Sequence, residues 1–134
     1  MDRLALPAVL ESMGAFQEFV TGKLERAGAA PLVCTRVEMV LEELLTNIIY
    51  YAYPNGEGEI ALDCGVKDGA LRIRITDSGV PFNMLDKPDP DTTLSVDERA
   101  IGGLGIFLVR EVMDEVRYER KNDTNVLHLT LSLQ

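Results

Sequence analysis

Two alternating runs, EIALDCGV (residues 59–66) and ALRIRITD (residues 70–77), stand on either side of Lys67-Asp68-Gly69. Successive side chains of a strand point to opposite faces, so Ile60, Leu62, Cys64 and Val66 share one face. Leu71, Ile73 and Ile75 share one face of the second run. A gap that short makes the pair an antiparallel hairpin with one apolar side that must be covered. The preceding sequence supplies the cover. Residues 8–27 place Val9, Leu10, Met13, Phe16, Val20 and Leu24 at helical spacing, with Gly28 as a stop. Residues 32–53 make a second, stronger helix between Pro31 and Pro54. Its apolar stripe is Val37, Val40, Leu41, Leu44, Leu45, Ile48 and Ala52.

The rest of the chain fits the same plan. RLALPA (residues 3–8) reads as a short edge strand closed by Pro7. Residues 78–101 are rich in Pro, Asp, Ser and Thr, and too long for an ordinary connection, which marks a functional or mobile loop. A glycine-led helix follows in ERAIGGLGIFLVREVMDEV (residues 98–116). A last hairpin closes the chain: EVRYER and VLHLTLSL flank KNDTN, with Leu127, Leu129, Leu131 and Leu133 on one face. Nothing divides the chain, so residues 1–134 form a single domain. Hairpins plus helices of this size give an α+β fold: a two-layer α/β sandwich, its sheet mixed and mostly antiparallel, its helices on one face.

Charge and rare residues narrow the function. A net charge of −9 repels nucleic acid and anionic membranes, so neither is an expected partner. A small phosphate ligand remains compatible, given a divalent cation or a locally positive pocket. Cys34 and Cys64 fit no zinc or C-x-x-C spacing and read as free thiols. His128 is the only histidine, which excludes a histidine metal cluster or triad. It alternates with the leucine face and should look toward solvent. No basic, apolar leader and no membrane-length apolar run is present, so a cytoplasmic location is expected.

Three short patterns can carry chemistry. On the second helix, Glu43 and Asn47 are four residues apart, hence about 40° from each other, with Asn47 at the border of the apolar stripe. A carboxamide oxygen there can take one position on Mg²⁺, and the carboxylate can act as a general base. Polar residues on a solvent-facing helix surface explain the same pair. Asp77 ends an apolar strand and Gly79 follows. That aspartate can accept a hydrogen bond from an exocyclic amine, while the glycine lets backbone approach a flat ring. An ordinary turn has the same residues. Gly102, Gly103 and Gly105 open the third helix. Bare backbone N–H groups at a helix N-terminus suit a phosphate, and a glycine hinge for the loop explains them equally.

Taken in order, these patterns resemble the ATP-binding fold shared by gyrase, the heat-shock chaperone ATPase, sensor histidine kinases and the mismatch-repair ATPase. EELLTNIIYYAY resembles its N box, DSGVPFN its first glycine box and IGGLGIFLV its second. Within this GHKL (Bergerat-fold) superfamily, the small size is similar to the anti-sigma-factor serine/threonine kinases of bacterial partner switching. The resemblance implies ATP and Mg²⁺ as cofactors. It implies Glu43 as general base, Asn47 as Mg²⁺ ligand, Asp77 as adenine acceptor, Gly79 beside the base, and Gly102, Gly103 and Gly105 in the phosphate loop. The resemblance also offers Arg99, the one cation between Pro90 and Gly105, to the γ-phosphate, and a solvent-facing side chain explains it equally. The implied activity is phosphorylation of a serine or threonine on a small anti-sigma-factor antagonist (STAS-type) protein. A sigma factor as second partner and a homodimer are also implied. Pro81 departs from the family's D-x-G-x-G pattern, fixing φ and removing an N–H. That departure keeps an ATP-dependent binding module without transfer in view. A fragment of a sensor histidine kinase is the third reading.

Overall fold

The hairpin of the opening motif forms with a tighter turn than its three-residue gap suggests. In the computed structural model, which describes residues 1–86 and 105–134, β2 (Glu59–Lys67) pairs antiparallel with β3 (Ala70–Asp77). Lys67 faces Ala70, so only Asp68 and Gly69 turn the chain, both at positive φ. This is the backbone that a two-residue turn between right-twisted strands requires. The closing hairpin repeats the device. β4 (Glu115–Lys121) pairs with β5 (Thr124–Ser132) around Asn122 and Asp123, again both at positive φ. KNDTN therefore divides: Lys121 belongs to β4, Asn122 and Asp123 turn, and Thr124 and Asn125 belong to β5.

β1 (Asp2–Pro7) lies antiparallel beside β2 at the edge, and the sheet order is β1-β2-β3-β5-β4. Every described pairing is antiparallel, which sharpens the expected mixed sheet. The last strand in sequence thus enters the sheet between β3 and β4.

α1 (Met13–Arg26) follows a single 3₁₀ turn at Leu10–Ser12, so it begins later than the periodicity implies. It ends as expected at Gly28, whose φ of 79° lets Ala29 N–H reach Leu24 O and Gly28 N–H reach Glu25 O. α2 (Pro31–Asn47) starts with Pro31 in its first turn, where a missing N–H costs no helical bond. All seven residues of its expected stripe are buried. They meet Leu62, Cys64, Ile73, Ile75, Leu127 and Leu129 from the inner face of the sheet. α3 (Gly105–Val112) adds Ile106 and Val109 to this core. The two-layer sandwich is therefore as the patterning demands.

The outer face carries a polar row. Asp63, buried, accepts from Arg3 at 3.0 Å and Arg74 at 3.2 Å, and the arginines hold its carboxyl below the usual range. His128 is half-buried on this side, 3.1 Å from Glu119 Oε1, rather than freely exposed. Cys34 and Cys64 are buried free thiols, Cys64 pushed up to about 11 by burial. No helix among the described residues is long and apolar enough to cross a membrane.

Candidate functional site

The second helix does not finish as an α-helix. After Asn47 the chain widens into a π-helical turn, Ile48–Ala52, where continuous α-helix is expected from the sequence. Such a turn releases backbone groups from the regular ladder. Ala52 closes the turn, so its carbonyl has no partner within the helix and accepts from Val80 N–H at 2.8 Å. Gly79 lies directly against that carbonyl, and a Cβ there would sit inside contact distance of Ala52. The close approach that demands glycine is thus made to Ala52, where the sequence suggests a flat ring. Tyr53 adds a second stitch: its hydroxyl donates to Glu59 O and accepts from Ser78 N–H, both at 2.7 Å. The Tyr51 and Phe82 rings pack at 5.3 Å. These contacts bring the end of α2, just past Asn47, onto the loop just past Asp77.

At the helix end of the site, Asn47 is fully buried, deeper than its expected place at the border of the stripe. Its Nδ2 donates to Glu43 Oε1 at 2.7 Å and to Glu43 O at 2.8 Å. Asn47 Oδ1 has no hydrogen-bond partner, alone in this among the buried side-chain atoms of the described residues. A buried carbonyl oxygen without a partner is costly, and a hard cation is one group that satisfies it. Glu43 is half-buried and Glu42 exposed, so the two glutamates differ as the helical wheel requires. The donor set, one neutral oxygen beside one carboxylate, fits Mg²⁺ with its remaining positions left to water and phosphate.

At the strand end, Asp77 is buried at 4% exposure. Its Oδ1 accepts from Gly79 N–H at 2.9 Å and from Asn125 Nδ2 at 2.8 Å. Burial pushes its carboxyl above the ordinary aspartate value, while Asn125, the Gly79 N–H and Arg120 oppose that rise. Asn125 lies directly across from Asp77 in the β3–β5 register. It also binds the loop, donating to Val80 O at 2.8 Å and accepting from Phe82 N–H at 3.1 Å. Arg120 Nη1 donates to Gly79 O at 2.9 Å. Asn125 bonds residues 80 and 82 and passes over Pro81, so the proline's missing N–H leaves no gap in this clamp.

The structure therefore brings Glu43 with Asn47, and Asp77 with Gly79, onto two elements that are stitched together. Gly105 opens α3, which packs on α2 through Ile106 and Val109. Arg99, Gly102 and Gly103 lie outside the described residues, as does most of the long loop. Sequence reading missed Asn125, Tyr53 and Arg120. A strand-depleted asparagine at the start of a leucine-rich strand is the one signal that could have pointed to Asn125.

The histidine kinase-like ATPase domain family matches residues 6–131. Serine-protein kinase RsbW of Bacillus cereus is 29% identical over 128 residues, spanning 92% of this chain and 80% of that protein. Its Bacillus anthracis counterpart matches equally. Among solved structures, the RsbU and RsbW domains of a Mycobacterium tuberculosis protein superpose with a TM-score of 0.63 at 15% identity. That match covers 99% of this chain and 33% of the other, so this chain spans about a third of it. The catalytic domain of histidine kinase ThkA gives 0.56 at 17% identity, covering 99% and 98% of the two chains. These structures share the fold.

Proposed function

The chain belongs to the histidine kinase-like ATPase domain family, and from that premise we propose that it is a protein serine/threonine kinase and anti-sigma factor. It is an ATP-binding module related to the RsbW serine-protein kinases. In the proposed reaction it phosphorylates a small STAS-type anti-sigma-factor antagonist. The observation that carries the reading is the Glu43–Asn47 pair: a carboxylate held at 2.7 Å by a buried carboxamide whose oxygen has no partner. Polar residues serving only as a helix surface would not be buried with an oxygen left open.

Asp77 accepts a hydrogen bond from the adenine amino group and so orients the nucleotide. Asn47 Oδ1 and the phosphates would hold Mg²⁺, which supplies charge neutralisation at the phosphoryl oxygens. Glu43 takes the proton from the partner's serine hydroxyl. The serine Oγ forms a bond to the γ-phosphorus, and the bond from that phosphorus to the ADP oxygen breaks. The Asn47 N–H on Glu43 Oε1 fixes the carboxylate for this transfer. The N-terminus of α3 at Gly105, with Gly102, Gly103 and Arg99 before it, offers the positive end for the transferring group. A homodimer that also binds a sigma factor in the cytoplasm completes the proposal.

The test is transfer of labelled γ-phosphate from ATP to STAS-type antagonist proteins. Wild type should label the partner, and Glu43→Ala should not, while its nucleotide affinity stays largely unchanged. Transfer surviving in Glu43→Ala would remove the general-base role. Wild type that binds ATP but labels none of the antagonists would leave the binding-module reading in place of the kinase.

A further inference from the structure

Asn125 makes more of its hydrogen bonds than the proposed reaction uses. Nδ2 donates to Asp77 Oδ1 and Val80 O, and Oδ1 accepts from Phe82 N–H and from Tyr118 OH at 2.5 Å. A carboxamide has two N–H groups and two lone pairs, so all four capacities are filled. Only one orientation allows this. Turned over, the amide oxygen would face the Asp77 carboxylate and the Val80 carbonyl, and its NH₂ would meet the Phe82 N–H.

We propose that Asn125 is the positioning residue that sets base specificity, holding Asp77 as an acceptor-only carboxylate so that the site selects a purine with an exocyclic amino group over one with an oxo group. This rests on the reading of Asp77 as the acceptor of the adenine amine. Two N–H groups on Oδ1 hold the carboxylate in one orientation and occupy that oxygen, so Oδ2 is the atom left to accept from a ligand. An ionised carboxylate accepts from an amino group and repels an oxo group in the same place. Burial favours the protonated carboxyl, which would donate to an oxo group instead; Asn125 is the foremost group opposing that. The other groups facing Asp77 are the Gly79 N–H, Arg120 from β4 and the Tyr53 hydroxyl from beyond α2. None of them replaces a donor directed at Oδ1 from across the sheet. The same amide grips Val80 and Phe82, so the loop and the carboxylate keep one relative position.

The experiment is calorimetric titration of Mg·ATP and Mg·ITP, whose base is hypoxanthine, into wild type, Asn125→Ala and Asn125→Asp. A variant that is partly unfolded loses apparent affinity for both nucleotides by the same factor, so the ATP/ITP ratio is blind to stability. Wild type should prefer ATP by about tenfold or more, and both variants should lose most of that preference. An unchanged ratio in the two variants overturns the inference, as does a wild type with no preference. Wild type that binds neither nucleotide overturns the nucleotide reading itself, which normal ATP binding with an unchanged ratio would leave standing.

Discussion

Asn47 and Asn125 are both buried, at 0% and 3% exposure, and the protein treats them in opposite ways. Asn125 fills every hydrogen-bonding capacity it has. Asn47 spends its amide on Glu43 and leaves its oxygen open. A buried polar atom left without a partner beside one that is fully satisfied calls for an explanation, and a bound ion is one. The base end of the site is thus complete in the folded chain, held by β3, β5 and the loop between residues 78 and 82. The Glu43–Asn47 end, by contrast, keeps one buried oxygen unpaired. Under the proposed function, the filled hydrogen bonds of Asn125 preorganise the end that would recognise a flat ring, and the unpaired Asn47 oxygen stands at the end that would hold a cation.

The comparison breaks most forcefully at Asn125. Asn125→Leu removes donors from Asp77 Oδ1 and Val80 O and an acceptor from Phe82 N–H and Tyr118 OH. Several buried polar groups are left to find water, and stability should fall by about 3 kcal/mol or more. Urea denaturation followed by circular dichroism reads the loss as a lower midpoint at unchanged slope. A loss under about 1 kcal/mol would mean that solvent already satisfies these groups and that the clamp is loose.

The same substitution at Asn47 should have the opposite sign. Asn47→Leu deletes the orphaned oxygen and fills the space with apolar atoms, while half-buried Glu43 regains water. Stability should rise by about 1 kcal/mol. The variant should also lose the strengthening of ATP binding that Mg²⁺ gives wild type, measured by titration with the metal present and then chelated. A stability drop as large as that of Asn125→Leu would show that Asn47 is a structural residue like its counterpart, and would remove the argument for a cation there.

The two asparagines also differ in how much of their role can be read from the sequence. Asn47 is legible because its partner is local: four residues on one helix, beside a stripe of seven apolar side chains that all proved buried. The hairpins are legible for the same reason, since alternation and a short gap are local signals. Asn125 depends on Asp77, 48 residues away, and they meet only because β5 inserts between β3 and β4. Alternation says which face a strand buries, but not which strand lies beside it. The π-helical turn at Ile48–Ala52 is not legible either, because it keeps helical composition and differs only in the spacing of its hydrogen bonds. Gly79 is expected from the sequence to lie beside a flat ring, and in the structure the Ala52 carbonyl at the end of the helix occupies the place of its missing Cβ.

The smallest expected effect tests whether Asn125 or its neighbours hold the clamp. Tyr118 is half-buried on β4, and its hydroxyl supplies one of the two donors to Asn125 Oδ1. Tyr118→Phe keeps the ring and removes only that donor. The Phe82 N–H still reaches Oδ1, and the donors to Asp77 and Val80 are untouched. The amide therefore keeps its orientation, and the loss should be about 0.5 kcal/mol by urea denaturation, the net worth of one neutral hydrogen bond near solvent. The preference for ATP over ITP should survive. If Tyr118→Phe instead matched Asn125→Leu in stability, the hydroxyl would be what fixes the amide. The contrast between the two asparagines would then be a contrast between an asparagine with a tyrosine beside it and one without.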